Sequence, residues 1–159
     1  MTDKPRRFGP PATRFLQEVA EVRVRFQEVD SMDMVWHGHY LTYFEEGRCA
    51  LGRRFGFDYS DFAVHGFMAP LVHSEVDHFA PARFGDVLQV RTRLHIDQSA
   101  RIDFTYKIVR RDEPATLVLG RTVQVLTTTD GQLCMAQPRF VVDFLERWRP
   151  AIESEVSAT

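Results

Sequence analysis

The sequence predicts an α+β fold, an antiparallel β-sheet wrapped around one long central α-helix. Two observations predict it. In HYLTYFEEGRCALGRRFG (39–56), Leu41, Phe44, Arg48, Leu51 and Phe55 recur at spacings of three and four, with Tyr40, Gly47 and Ala50 alongside. That is the period of an amphipathic helix. Most of the chain beyond it alternates apolar and polar residues, as half-buried strands do. A sheet with one apolar face and a single apolar helix bury each other when the sheet curls around the helix. Strand–helix alternation, the mark of a doubly wound parallel sheet, is absent.

Each element follows in order. Pro5, Pro10, Pro11 and several charges make the start of the chain a loosely ordered arm, taken to residue 18. VRVRFQEV (22–29) places Val22, Val24 and Phe26 on one face and reads as a strand. The helix then runs to Gly56, which suits a left-handed stop. Gly47 in mid-helix costs about 1 kcal/mol relative to Ala, a cost that fits close approach of a sheet at Gly47, Ala50 and Gly52. Residues 67–79, 87–96, 101–111 and 117–129 read as successive strands, with DQSA (97–100) and DEPA (112–115) as hairpin turns. Asp130-Gly131 signals a tight turn into a short strand, 133–137. Pro138 stops it, and FVVDFLERWR (140–149) is a terminal helix. One domain is expected over 19–150, with a tail at 151–159.

Charge and cysteine usage exclude several classes. A net charge of −2 carries no basic excess, which argues against nucleic acid as a partner. Arginines such as Arg83, Arg91 and Arg93 are scattered, so a local anion site stays open. Two cysteines, Cys49 and Cys134, are too few for a disulfide framework and fit a reducing cytoplasm. MTDKPRRFGPPATRF lacks the apolar core of a signal peptide, and no stretch is long and apolar enough to span a bilayer. A cytoplasmic protein without a membrane partner is expected.

The chemistry concentrates in QEVDSMDMVWHGHYLTYFEEGR (27–48), where Asp30, Asp33, His37 and His39 crowd a short loop before the helix. Oxygen and imidazole donors of this kind suit zinc or iron. No recognised ligand spacing is present, however, and His73-x-Glu75-x-Asp77 is explained by one exposed strand face, so no metal is expected. Asp30 is either a turn residue bonding its local backbone or a catalytic carboxylate. On the residues alone these two readings stand level.

Three stretches in order tip that balance: FQEVDSMDMVWHGHYLTYFEEGRCAL (26–51), FAPARFGDVLQVRTRL (79–94) and GRTVQVLTTTDGQL (120–133). Together they resemble the hotdog-fold acyl-CoA thioesterases, in particular the 4-hydroxybenzoyl-CoA thioesterase-like group, over roughly residues 20–147. The chain departs from the group's pattern at three places. Glu28-Val29-Asp30 stands where Asp-x-Asp is frequent, Asp33-Met34 where a loop glycine is common, and His39 where an Asn opens the helix.

The resemblance implies an acyl-CoA thioesterase without a cofactor, coenzyme A being part of the substrate. It sets the catalytic carboxylate on Asp30, as nucleophile or general base. Backbone N–H groups near Gly38, His39 and Tyr40 become the oxyanion donors, aided by the helix dipole. Gly38 then lets the substrate carbonyl approach the chain, and His37 holds the loop or contacts the thioester. Glu28 is expected to be a strand-end surface acid, and Glu45 and Glu46 to lie on a solvated helix face. Arg83, Arg91 and Arg93 are expected to meet CoA phosphates. Phe62, Phe67 and Met68 are expected to line the acyl pocket. An open sheet edge points to a homodimer or homotetramer with sites between subunits.

Two alternatives stay in view. One is an acyl-thioester binding module without turnover. The other is a hotdog thioesterase or dehydratase acting on acyl-carrier-protein thioesters. The latter is faintly matched by His78-Phe79-Ala80-Pro81 but leaves Asp30 without a role.

Overall fold

The computed structural model describes residues 7–155. A long helix, α1 (His39–Phe55), lies against an antiparallel sheet built from β1 (Arg14–Arg23), β3 (Leu71–His78), β4 (Val87–His95), β5 (Arg101–Arg110), β6 (Glu113–Val125) and β8 (Glu153–Ser154). The strand order is β3-β6-β5-β4-β1-β8. A second, two-stranded sheet pairs β2 (Phe67–Met68) with β7 (Thr127–Thr128). A short helix, α2 (Tyr59–Val64), follows α1, and α3 (Arg139–Trp148) closes the far end. This is the hotdog arrangement, and α1 ends at Gly56 in the left-handed conformation (φ 72°).

Why the helix seats so closely is visible at three residues. Gly47 leaves room for the Thr92 and Val90 side chains, which a Cβ would strike. On β6, Gly120 likewise makes room for the Phe44 ring. That ring stacks on Tyr106 with centroids 4.2 Å apart. Tyr40, Tyr43, Phe44, Gly47 and Leu51 form the buried stripe of α1. Leu41, assigned to the inner face by spacing, is instead 40% exposed.

Several boundaries differ from those expected. β1 begins at Arg14, inside the expected arm, and ends at Arg23, before most of the strand read at 22–29. Two residues hide its alternation: Val19 faces outward, 46% exposed, while Glu18 reaches Arg54 on α1 at 3.1 Å. Phe26–Glu28 forms a 3₁₀ turn, and Phe26 points out, 77% exposed. The strand read at 67–79 is split by Ala69-Pro70, because proline has no N–H to give a ladder. The turn after β5 is tighter than DEPA, since β6 already starts at Glu113. Leu133 makes only an isolated bridge to Thr127, so 133–137 is no strand. Within the expected tail, β8 pairs with Arg14 and Phe15. No helix among the described residues is long and apolar enough to cross a membrane.

Candidate active site

Residues 28–36 fold back on themselves as a short hairpin that leads into α1. Val29 pairs with Val35. The Trp36 N–H donates to the Glu28 carbonyl at 2.9 Å, and that of Asp30 to Met34 at 2.8 Å. A tight turn closes the tip, with the Asp33 N–H on the Asp30 carbonyl at 3.1 Å. Asp33 takes φ 57°, a left-handed conformation that Asp tolerates better than most residues. This explains how the chain manages without a loop glycine. The hairpin is fastened to the segment before β4: the Val35 N–H donates to Ala82 at 2.9 Å, and an Arg83 Nη donates to the Asp33 carbonyl at 3.3 Å.

Asp30 stands at this tip, half-buried. Its Oδ1 accepts the N–H groups of Met32 (2.8 Å) and Met34 (3.3 Å). Among the described residues, Oδ2 has no protein donor. The two readings of Asp30 are therefore not exclusive: one oxygen holds the turn, and the other is not engaged by it.

At the base of the hairpin the structure corrects an expectation. Glu28 is not a surface acid but is 8% exposed. Its Oε2 accepts the Tyr43 hydroxyl and the Arg25 N–H, each at 2.8 Å. Burial, then the bond to Glu28, push the Tyr43 hydroxyl well above its ordinary pKa. Tyr43 meets the Tyr40 ring edge-on at 5.8 Å. The Tyr40 hydroxyl accepts the Ala82 N–H at 3.2 Å. Nothing local in the sequence marks Glu28 as buried, because its partner lies fifteen residues away in the next element.

The start of α1 offers fewer free donors than expected. The His39 N–H is taken by the Trp36 carbonyl at 2.9 Å. The N–H groups of Gly38 and Tyr40 carry no hydrogen bond among the described residues. Gly38 is needed for a neighbour, because the Trp36 ring fills the space its Cβ would occupy. His37 is exposed and lies against Trp36 at 4.8 Å, while the His39 ring meets Trp36 edge-on at 5.7 Å. Both imidazoles thus frame the tryptophan, and neither bonds Asp30 among the described residues.

The predicted arginines separate. Arg83 is beside the hairpin. Arg91 and Arg93 lie on the opposite face of the sheet from α1, along a groove of ≈ 600 Å³ shared with Lys107, Glu75 and Asp77. Arg93 is already paired with Glu155 at 2.6 Å. Phe62 is core, edge-on to Phe57 at 4.8 Å. Phe67 packs near Phe140 at 5.2 Å, and Met68 is 45% exposed. Glu45 and Glu46 are exposed. No three His, Cys, Asp or Glu side chains among the described residues are grouped to hold a metal ion. Exposed Phe26, Met32, Trp36, Phe79 and Phe84 include both flanks of the hairpin and the end of β3.

Comparisons with known proteins agree with this fold. A family model described as the thioesterase-like superfamily matches residues 24–151. YneP of Bacillus subtilis (strain 168) is 38% identical over 72 residues, 45% of this chain and about half (52%) of that protein's length. The acyl-CoA thioesterase YbgC of Haemophilus influenzae is 28% identical over 114 residues, covering 70% of this chain and 81% of YbgC. A hypothetical protein from Thermus thermophilus superposes with a TM-score of 0.73 at 30% identity, over 83% of this chain and 97% of the other.

Proposed function

Because this chain belongs to the thioesterase-like superfamily, we propose that it hydrolyses an acyl-CoA thioester to a free acid and CoA, with Asp30 as the catalytic carboxylate. The observation that carries the reading is the division of labour at Asp30. Two hairpin amides fix one carboxylate oxygen and leave the other to react. The unengaged N–H groups of Gly38 and Tyr40 then receive the oxyanion, reinforced by the positive end of α1.

The chemistry asks for little else. A thiol of pKa about 8.5 leaves as thiolate without a strong general acid. In one route Oδ2 attacks the carbonyl carbon, the C–S bond breaks, and water opens the resulting mixed anhydride, restoring Asp30. In the other, Asp30 takes a proton from water as its oxygen attacks, and the proton passes to the departing sulfur. Both give the same products and need no metal or cofactor.

Binding follows from position. Arg83, beside the hairpin, meets a CoA phosphate. Arg91 and Arg93, across the sheet, serve only a CoA held by another copy. The outer edge of β3 is unpaired among the described residues, and an open edge next to exposed aromatics favours pairing with a second copy. A homodimer completing the acyl pocket is the assembly we assign, in a cytoplasm where Cys49 and Cys134 stay free.

Release of free thiol from acyl-CoAs of varied length and ring content tests the reading. Turnover is expected for the wild-type chain, with loss of about 10²–10⁴-fold in kcat for Asp30→Asn at an unchanged melting temperature. A chain that binds these thioesters without releasing thiol is a binding module instead. Equal turnover in Asp30→Asn removes Asp30 from the reaction.

A further inference from the structure

We infer that Glu28 is a positioning residue: its buried carboxylate bolts the Asp30 hairpin to the central helix through the Tyr43 hydroxyl. The kinetic side of this inference rests on the thioesterase reading of Asp30; the geometric side does not.

A carboxylate excluded from water is costly unless its oxygens are bonded. Glu28 is 8% exposed, and no cation stands within ion-pair distance of it among the described residues. Both of its bonds fall on Oε2, from the Tyr43 hydroxyl and the Arg25 N–H, each at 2.8 Å. Charge-assisted bonds of this kind are roughly twice as strong as neutral ones. They tie three pieces together: the 3₁₀ turn that enters the hairpin, the first hairpin strand, and the second turn of α1. Through its main chain the same residue takes the Trp36 N–H at 2.9 Å. One residue therefore grips the hairpin's closing strand with its carbonyl and the helix with its side chain.

From there the framework closes into a ring of contacts. Tyr43 abuts Tyr40, whose hydroxyl takes the Ala82 N–H, and the Ala82 carbonyl takes the Val35 N–H. Asp30 and the Gly38 amide leave this frame at two points. Their relative placement depends on the bolt, yet Glu28 itself has its bonded oxygen turned to the helix. A misplacement of about 1 Å can cost about 10²-fold in rate. Loss of the bolt is expected to act on kcat for that reason.

Four chains test this: Glu28→Ala, Glu28→Gln, Tyr43→Phe and wild type. Each is assayed for acyl-CoA hydrolysis and, in a Trp148→Phe background that leaves Trp36 as the only tryptophan, for acrylamide quenching. Glu28→Ala and Tyr43→Phe are expected to lower kcat about 10–100-fold. KM should stay within about threefold, the pH midpoint of kcat should hold, and Trp36 quenching should rise. Glu28→Gln keeps an oxygen acceptor for Tyr43, so it is expected to recover most of the rate. Unchanged kcat in Glu28→Ala at full folded fraction overturns the inference. A Glu28→Gln loss as deep as that of Asp30→Asn also overturns it, since Glu28 would then act on substrate. If no thioester is hydrolysed even by the wild type, the proposed function falls. The bolt is then judged by Trp36 alone, and unchanged quenching in Glu28→Ala overturns it.

Discussion

The middle of α1 and the hairpin just before it are held by opposite means. At mid-helix, Gly47, Phe44 and Gly120 are fitted by shape to Thr92, Val90 and Tyr106, and the one charged group that joins them, Arg48, reaches the Tyr106 hydroxyl at 3.2 Å. In the hairpin, Glu28, Asp30 and Asp33 are fitted by hydrogen bonds to backbone and to one tyrosine, while Met32 and Trp36 stay exposed. Close packing tolerates little change in volume. Hydrogen-bonded carboxylates tolerate changes in volume but depend on which atoms donate and accept. The difference teaches where reactivity can reside: a carboxylate oxygen is left open only where packing does not need it.

The sharpest break of this contrast pairs two variants. Asp30→Asn is expected to remove activity by about 10²–10⁴-fold with little effect on melting. Gly120→Val drives a side chain into Phe44 and is expected to cost about 1–3 kcal/mol, read as a fall in melting temperature of roughly 3–10 °C. Its residual folded fraction should hydrolyse normally. If the two phenotypes exchange, the contrast is wrong.

A smaller effect belongs to Arg83. Arg83→Ala is expected to raise KM for acyl-CoA by about 3–10-fold, the worth of one ordinary hydrogen bond made by a half-exposed side chain. KM for the matching acyl-pantetheine, which lacks the nucleotide phosphates, should hold; an equal rise for both sets Arg83 in the hairpin's support alone. Smaller again is Asp33→Gly. Relief of the positive φ is offset by the added freedom of the unfolded chain, so stability should move by less than about 0.5 kcal/mol and kcat by less than about twofold.

The smallest is a pH effect away from the site. Burial pushes the His95 imidazole below its ordinary value of 6.5. It sits between the Ala12 carbonyl (2.6 Å) and the Thr105 hydroxyl (2.7 Å). As pH falls, the unfolded chain takes the proton first. The stability contributed by the neutral ring is therefore full above 6.5 and lost as pH falls toward the folded-state value. Melting temperature should drop less between about pH 7.5 and about pH 5 in His95→Gln than in wild type, and equal slopes exclude this role.

The same contrast explains what the sequence disclosed. α1, β4 and β5 are legible because packing imposes a period, and Gly56 announces the helix end. Asp30 and the Gly38–Tyr40 turn are legible as a motif. Hydrogen bonds impose no period, so the burial of Glu28 and the engagement of the His39 N–H were not. α2 was missed although Asp58 and Asp61 form its capping box, because six residues are too few to show a helical period. β1 was displaced by the outward Val19 and inward Glu18, each against the usual polarity of its face.

The account turns on where a thioester meets this hairpin. A crystal structure of the Asp30→Asn chain with an acyl-CoA bound tests it most directly. The thioester oxygen should lie about 3 Å from the N–H groups of Gly38 and Tyr40. Its carbon should lie within about 3–3.5 Å of the residue-30 side chain, or one water away. An acyl group seated elsewhere, such as the groove of Arg91 and Arg93 on the outer sheet face, would contradict it.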